Sequence, residues 1–165
     1  MNRRDMNRRS ILTSSAIAAL GLVFSLSGAL AQTKTLKDQL VGTWILSSTD
    51  AYGPNPKGSY MFDPNGRFSA ILMRNDLPKY TSNNRTQGTP TEYKATVDGS
   101  LAYFGTYSVT GTELTLHVEG STFGNWTGTD QKRTNVSVVG DELKYTVLAP
   151  SGGGPANVTI WKRAK

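Results

Sequence analysis

The sequence contains no cysteine and only one histidine, His117, among its 165 residues. Without thiols the chain cannot form disulfides, thiolate metal sites, iron–sulfur clusters or a cysteine nucleophile, and a single histidine excludes sites built on two or more imidazoles. The carboxylates are scattered, so we predict no metal site and no cofactor. Repeats of 20–50 residues and low-complexity tails are also missing, and the length fits one modest domain.

A basic stripe of the kind that binds nucleic acid is also missing. The formal net charge is +6, and four arginines against one aspartate place +3 of it in residues 1–31. The remaining +3 of residues 32–165 is interspersed with acidic residues. Nucleic acid is therefore not an expected partner.

The first 31 residues have the pattern of a secretory signal peptide. A basic segment precedes an apolar one centred on residues 16–24, and Ala29-Leu30-Ala31 forms an A-x-A site that places cleavage between Ala31 and Gln32. The segment NRRSILT at residues 7–13 resembles the twin-arginine export signature. An uncleaved membrane anchor is the alternative, but the serine and glycine content and the A-x-A site favour cleavage.

These features predict a periplasmic or secreted bacterial protein, residues 32–165, that is free of the membrane after cleavage. Its precursor would have the twin-arginine export machinery as a partner. A domain exported by that route folds in the reducing cytoplasm, which is consistent with the missing cysteines.

After residue 32 the chain is made of short apolar or alternating runs separated by turn residues, a pattern typical of antiparallel strands. Residues 35–41 predict a short helix, and the polar residues 75–93 and the glycine-rich residues 121–129 break the meander. The predicted strands lie at about 42–49, 58–62, 67–74, 103–109, 113–119, 131–139, 142–148 and 157–163.

Eight antiparallel strands in so short a chain must hide their edges, and a near-closed barrel does this best. We therefore predict an all-β, antiparallel barrel of about eight strands with a short N-terminal helix. Such a barrel has an interior just wide enough for side chains or one small ligand.

Several motifs resemble, in their order, those of the bacterial lipocalin-like domain family. Gly42-Thr43-Trp44 resembles the G-x-W signature of lipocalins, whose tryptophan closes the barrel floor. The other motifs are DPNG at 63–66, AYFGTY at 102–107 and HVEGSTFGNWTGTDQKR at 117–133, and the resemblance spans about residues 36–162. It implies a calyx with a small-molecule pocket and specifies no reaction.

The resemblance also implies structural roles for individual residues. Gly42, Trp44 and Gly66 belong to its motifs, and Trp161 is expected in the core. Lipocalins place an arginine against the floor tryptophan, and both Arg133 and Arg163 are candidates. The family's aromatic-Pro-Asn-Trp motif has Gly124 in place of proline here, which would loosen that loop.

Candidate functional side chains lie on the predicted strands and in the second loop. His117 and Glu119 are two apart, so they share one strand face, where they could act in acid–base chemistry or merely satisfy a polar surface. Trp126, with Phe123, could cover a ligand or pack on the rim. Tyr103 and Tyr107 share a strand face with Gly105 between them, and the glycine leaves room for a close neighbour, which we interpret as adjacent backbone rather than a ligand. The ligand-binding candidates are Arg74, Tyr103, Tyr107, His117, Glu119, Trp126, Gln131 and Arg133.

Three functions remain open on the sequence. The first is an exported protein that binds a small, partly apolar molecule in the barrel. The second is an isomerase, cyclase or hydrolase that uses His117 with Glu119 or Arg133, and the third is an envelope interaction module without a ligand.

Overall fold

A computed structural model describes residues 34–165. The predicted signal peptide and its cleavage site between Ala31 and Gln32 lie outside the described residues. Among those residues, no helix is both long enough and apolar enough to cross a membrane.

The described chain is a meander of strands with two α-helices and two short 3-10 turns, at Asp50–Tyr52 and Gly124–Trp126. The helices are α1 (Leu36–Leu40) and α2 (Pro90–Asp98). The strands are β1 (Gly42–Thr49), β2 (Lys57–Phe62), β3 (Arg67–Met73), β4 (Ser100–Thr110), β5 (Glu113–Ser121), β6 (Asp130–Val139), β7 (Glu142–Val147) and β8 (Asn157–Arg163).

Each strand pairs antiparallel with the next, and β8 pairs with β1 to close the barrel. In that closing pair Trp44 lies opposite Arg163 and Leu46 opposite Trp161. Closure leaves no free strand edge in the barrel. The predicted all-β, eight-stranded antiparallel barrel with a short N-terminal helix is therefore confirmed.

The barrel interior is filled with aromatic and aliphatic side chains. Trp44, Tyr60 and Trp161 are fully buried, which confirms that Trp161 belongs to the core. The Trp161 indole lies 5.2 Å from the Tyr60 ring and donates from Nε1 to the Tyr145 hydroxyl at 3.0 Å. The centre of the barrel is thus solid, and any cavity must lie towards one end.

Helix α1 closes the end at which β1 begins. Trp44 Nε1 donates to the Leu40 carbonyl at 2.8 Å, and the Arg163 guanidinium lies 4.1 Å from the Trp44 ring. Arg163 also donates to the carbonyls of Val41 and Gln39, at 3.0 and 2.8 Å. Arg163, and not Arg133, is therefore the floor arginine.

Gly42 has φ +128, and a Cβ atom there would lie 3.0 Å from Nη1 of Arg163. A side chain at this position would therefore strain the backbone and crowd the guanidinium. The first residue of the G-x-W motif is thus fixed by the packing of the floor.

Helix α2 begins within the polar segment 75–93 that interrupts the predicted meander, and it was not predicted from the sequence. Thr89 and Glu92 form a capping box, and Pro90 occupies the first turn, a combination that favours helix initiation. The pKa of Glu92 falls to about 2 because it accepts hydrogen bonds from the backbone N–H groups of Thr81 and Thr89. This carboxylate therefore ties the preceding loop to the start of the helix.

Candidate functional site

The alternation of side chains on β5 separates the predicted polar cluster from the barrel interior. Leu114, Leu116 and Val118 are completely buried, so His117 and Glu119, at the intervening positions, point outwards. Arg133 instead points inwards from β6 and is only 3% exposed. His117 and Glu119 share a face as predicted, but neither lies with Arg133.

Both outward residues have partners on the barrel surface. His117 Nδ1 lies 2.8 Å from Asp130 Oδ1, and Glu119 forms a two-point ion pair with Arg67 at 3.2 and 2.7 Å. The Arg67 hydrogen bonds lower the pKa of Glu119. His117 and Glu119 therefore fit the interpretation of a polar, solvated strand face whose side chains have partners. The structure does not bring His117, Glu119 and Arg133 together into an acid–base site.

A cavity of about 40 Å³ lies at the other end of β1, opposite α1. The ends of β1, β3 and β7, the starts of β4 and β8, and the loop after β5 all contribute to its wall. Its lining is mostly apolar or aromatic, with hydroxyl groups and one guanidinium. It comprises Thr49, Ala51, Tyr52, Leu72, Leu101, Tyr103, Trp126, Arg133, Tyr145, Val147, Pro150, Ser151, Asn157 and Thr159.

Arg133 is the only charged residue in that lining. Its Nη1 donates to the Lys132 carbonyl at 2.9 Å and its Nη2 to the Tyr103 hydroxyl at 3.4 Å, while its buried Nε has no partner. The guanidinium lies 5.7 Å from the Trp126 ring and 5.9 Å from the Tyr145 ring. Two aromatic rings therefore hold the cation at the cavity wall.

The charge of Arg133 has no acidic counterpart among the described residues, which contain no ion pair to this side chain. Burial acts to lower the pKa of Arg133, but the polar surroundings of Tyr103, Tyr145 and Tyr60 offset it and raise the pKa overall. Burial in turn raises the pKa of Tyr145 and Tyr60. The guanidinium is charged at neutral pH, while the phenols of Tyr145 and Tyr60 are neutral.

Trp126 covers one side of the cavity from the loop between β5 and β6. Its ring meets that of Tyr103 edge-on at 5.2 Å and that of Phe123 at 6.1 Å. The backbone of the loop is bonded to β5, since Gly128 donates to the Val118 carbonyl at 2.8 Å. Trp126 is 8% exposed, so it packs on the rim and lines the cavity at the same time.

Tyr107 does not line the cavity, although it shares an inner face with Tyr103. Its hydroxyl donates to the Asp63 carbonyl at 2.9 Å, and its backbone N–H donates to the Gly66 carbonyl at 2.7 Å. Tyr107 therefore connects β4 to the turn between β2 and β3, and the Gly66 carbonyl is one of the two acceptors in that turn. Tyr107, a ligand-binding candidate from the sequence, thus lies outside the lining of this cavity.

Two other candidates lie outside the cavity lining. Arg74 follows β3 and forms an exposed ion pair with Asp76 at 2.8 Å. Gln131 is half-buried and donates to the Thr129 hydroxyl at 3.0 Å. The structure thus keeps Tyr103, Trp126 and Arg133 together at the cavity and separates the other five candidates from it.

Several lining residues were not predicted, among them Thr49, Tyr52, Tyr145 and Thr159. The inward positions of β7 and β8 follow from alternation, because Leu143 and Trp161 are buried on the same faces as Tyr145 and Thr159. Tyr145 and Thr159 line one cavity with Arg133 only because the barrel closes. Among the described residues, no three or more acidic or histidine side chains lie together in a group that could hold a metal ion.

Comparison with known proteins gives one family match. A family model described as a lipocalin-like domain matches residues 42–164, whereas no curated protein sequence matches the chain. Solved structures with similarity include a lipocalin-like protein from Bacteroides uniformis (18% identity, TM-score 0.42) and an uncharacterized protein from Bacteroides eggerthii (12% identity, TM-score 0.40). Each alignment covers 76% of this chain and 99% of the other.

Proposed function

Since the chain belongs to the lipocalin-like domain family, a barrel fold of ligand-binding type, we propose that it binds a small, partly apolar molecule. The site is the cavity opposite α1. The observation that carries this proposal is the lining itself, in which aromatic and aliphatic walls surround a few convergent polar groups. Small-molecule sites in proteins have this composition.

The size of the cavity restricts what it can hold. A volume of about 40 Å³ accommodates on the order of three water molecules. Only one end of an organic ligand fits within it, and the rest would extend past Pro150 and Ser151 at the rim. The ligand is therefore small, or inserts one small group.

A pair of substitutions on β3 tests the location. Leu72 is buried and lines the cavity, whereas its neighbour Ile71 is 46% exposed on the outer face. Leu72→Phe should fill the cavity and weaken the binding of small benzene derivatives at least tenfold, while Ile71→Phe should leave it unchanged. Titration followed by tryptophan fluorescence measures both, and equal affinities in the two variants would place binding elsewhere.

The enzyme alternative receives no support from the geometry, since His117 faces away from the cavity. His117→Gln should leave the affinity for cavity ligands unchanged. A ligand that the wild-type protein converts chemically and that the His117→Gln variant does not convert would restore the enzyme hypothesis.

An envelope interaction module remains a second candidate because of one surface. On the outer face of β1 to β4, Ile45, Met61, Ile71 and Phe104 are 46–50% exposed. The cross-strand registers place Met61 and Phe104 in one row and Ile45 and Ile71 in the next. If this surface binds another copy of the chain, Phe104→Lys should reduce the sedimentation coefficient in concentrated solution, and an unchanged monomer would argue against it.

We also propose that the protein is exported to the periplasm by the twin-arginine route. The support is the paired arginines, apolar segment and A-x-A site of residues 1–31. Replacement of Arg8 and Arg9 by lysine should retain the precursor in the cytoplasm. Mass spectrometry of the exported protein should find Gln32 as the first residue, and an N-terminus at Met1 or Met6 would contradict cleavage.

A further inference from the structure

We propose that the group inserted into the cavity is a carboxylate and that Arg133 binds it. This inference deepens the proposed function and rests on it. It follows from three features of Arg133: unused hydrogen-bond donors, an uncompensated charge and its position at the wall of the cavity.

The donors of Arg133 are only partly used. A guanidinium carries five N–H groups in a planar fork, and the described protein gives Arg133 one acceptor at 2.9 Å and one long contact at 3.4 Å. Nε is buried without any partner. Nε and Nη2 lie on one edge of the guanidinium, and two donors on one edge are the arrangement that a carboxylate favours for two-point binding.

The charge of Arg133 is likewise uncompensated. Buried cations in proteins are normally paired with an acidic group. Arg133 is 3% exposed, and its contacts among the described residues are to the phenols of Tyr103 and Tyr145, the Trp126 indole and the Lys132 carbonyl. An anionic ligand would supply the missing partner. A cationic ligand would be repelled by the same charge.

Arg163 shows how the barrel can surround an arginine with its own acceptors. Arg163 also lies against an indole, but its two Nη atoms donate to the Val41 and Gln39 carbonyls, and its Nε lies 3.8 Å from the Asp141 carboxylate. The same chain thus gives Arg163 two short hydrogen bonds and an acidic neighbour, whereas Arg133 has one short hydrogen bond and no ion pair among the described residues. The difference lies in the cavity, which only Arg133 borders.

The surroundings favour a carboxylate over a phosphate or sulfate. No second lysine or arginine lines the cavity, so a dianion would leave one charge uncompensated in a buried place. A monocarboxylate matches the single positive charge, and the apolar carbon atoms next to its carboxylate can lie against Leu72, Leu101 and Val147, which line the same cavity.

Isosteric ligand pairs test the inference on the unmodified mature protein. Benzoate and benzamide, and likewise butyrate and butyramide, have nearly the same shape and differ in charge. We expect each carboxylate to bind at least tenfold more tightly than its amide, as measured by titration calorimetry. In Arg133→Met this preference should disappear, whereas the outer-face variant Arg67→Gln should keep it.

The outcomes separate this inference from the proposed function. If amides bind as tightly as carboxylates, the cavity is a binding site and the carboxylate assignment is overturned. If equimolar phosphate displaces benzoate, the site is a general anion site and the assignment is also overturned. If none of the four ligands binds, both proposals fail, and if Arg133→Met does not fold, the comparison of the isosteres on the wild-type protein decides.

Discussion

The two arginines that lie against tryptophan rings, Arg163 and Arg133, should respond in opposite directions to replacement by methionine. Arg163→Met removes two charge-assisted hydrogen bonds to carbonyl groups, each worth about 1.5–3 kcal/mol, and one cation–π contact worth about 0.5–2 kcal/mol. Water can reach this end of the barrel, because the side chain is 31% exposed. We therefore expect the free energy of unfolding to fall by about 3 kcal/mol, or roughly 10 °C in Tm.

Arg133→Met removes weaker interactions than Arg163→Met does, and it also removes a larger desolvation cost. It loses one hydrogen bond at 2.9 Å, one at 3.4 Å and two stacking contacts near 6 Å. The substitution also removes the desolvation cost of a buried ion without a counter-charge, which is several kcal/mol. The ligand-free variant should therefore be more stable than wild type by about 1–2 kcal/mol, although it loses carboxylate binding.

Urea unfolding at 25 °C, followed by far-ultraviolet circular dichroism, compares the two variants without depending on the tryptophan signal that each substitution perturbs. The slope of free energy against urea should stay constant, because the surface exposed on unfolding hardly changes. An Arg133→Met variant destabilised as much as Arg163→Met would refute the reasoning, since Arg133 would then be a structural residue of the barrel.

Three further outcomes are expected. Gly105→Ala should lower the free energy of unfolding by about 3 kcal/mol or more, because a Cβ there would lie 1.9 Å from the His117 carbonyl oxygen. Gly124→Ala should be nearly neutral, because a Cβ there has nothing within 4 Å. Thermal denaturation compares the two variants, and similar losses of stability would refute this packing. Trp44→Ala should cost about 3–5 kcal/mol, and a smaller loss in urea unfolding would mean that the floor can collapse around the gap. The Glu92 contribution to local stability should be fully present above the unfolded pKa near 4.5 and be lost as the pH falls towards about 2. The hydrogen-exchange protection factors of the α2 amides should therefore decrease over that range, and a Glu92→Gln variant with wild-type protection at pH 7 would contradict it.

The strands and the floor could be predicted because their signals are local. Alternation located β1 and β8 at their observed bounds, and the G-x-W motif placed Trp44 at the floor. A glycine between Tyr103 and Tyr107 favoured a close backbone neighbour over a ligand, and a Cβ at Gly105 would indeed lie 1.9 Å from the His117 carbonyl oxygen. The capping box at Thr89 and Glu92 was an equally local signal for α2, but the polar composition of the segment obscured it.

The site could not be assembled from the sequence, because it depends on which strand face points inwards and on closure between distant strands. The leucines of β5 alternate with His117, so a barrel filled with apolar side chains would point His117 outwards. A calyx lined by polar groups would point His117 inwards, and the sequence alone does not distinguish the two. In β6 the register shifts between Thr134 and Ser137, and Asn135 has φ 52. This irregularity changes which alternate residues face inwards, so the position of Arg133 in the cavity depends on tertiary structure.

The pairing of β1 with β8 has a consequence for how the protein folds. The strands that close the barrel stand at opposite ends of the described chain, so Trp44 meets Arg163 only after nearly the whole sequence has been synthesised. Contacts of such large sequence separation slow folding, and until they form, β1 and β8 expose edges that can pair with other chains. A truncation that removes Asn157–Arg163 would leave the edges of β1 and β7 unpaired and should therefore yield an aggregating chain.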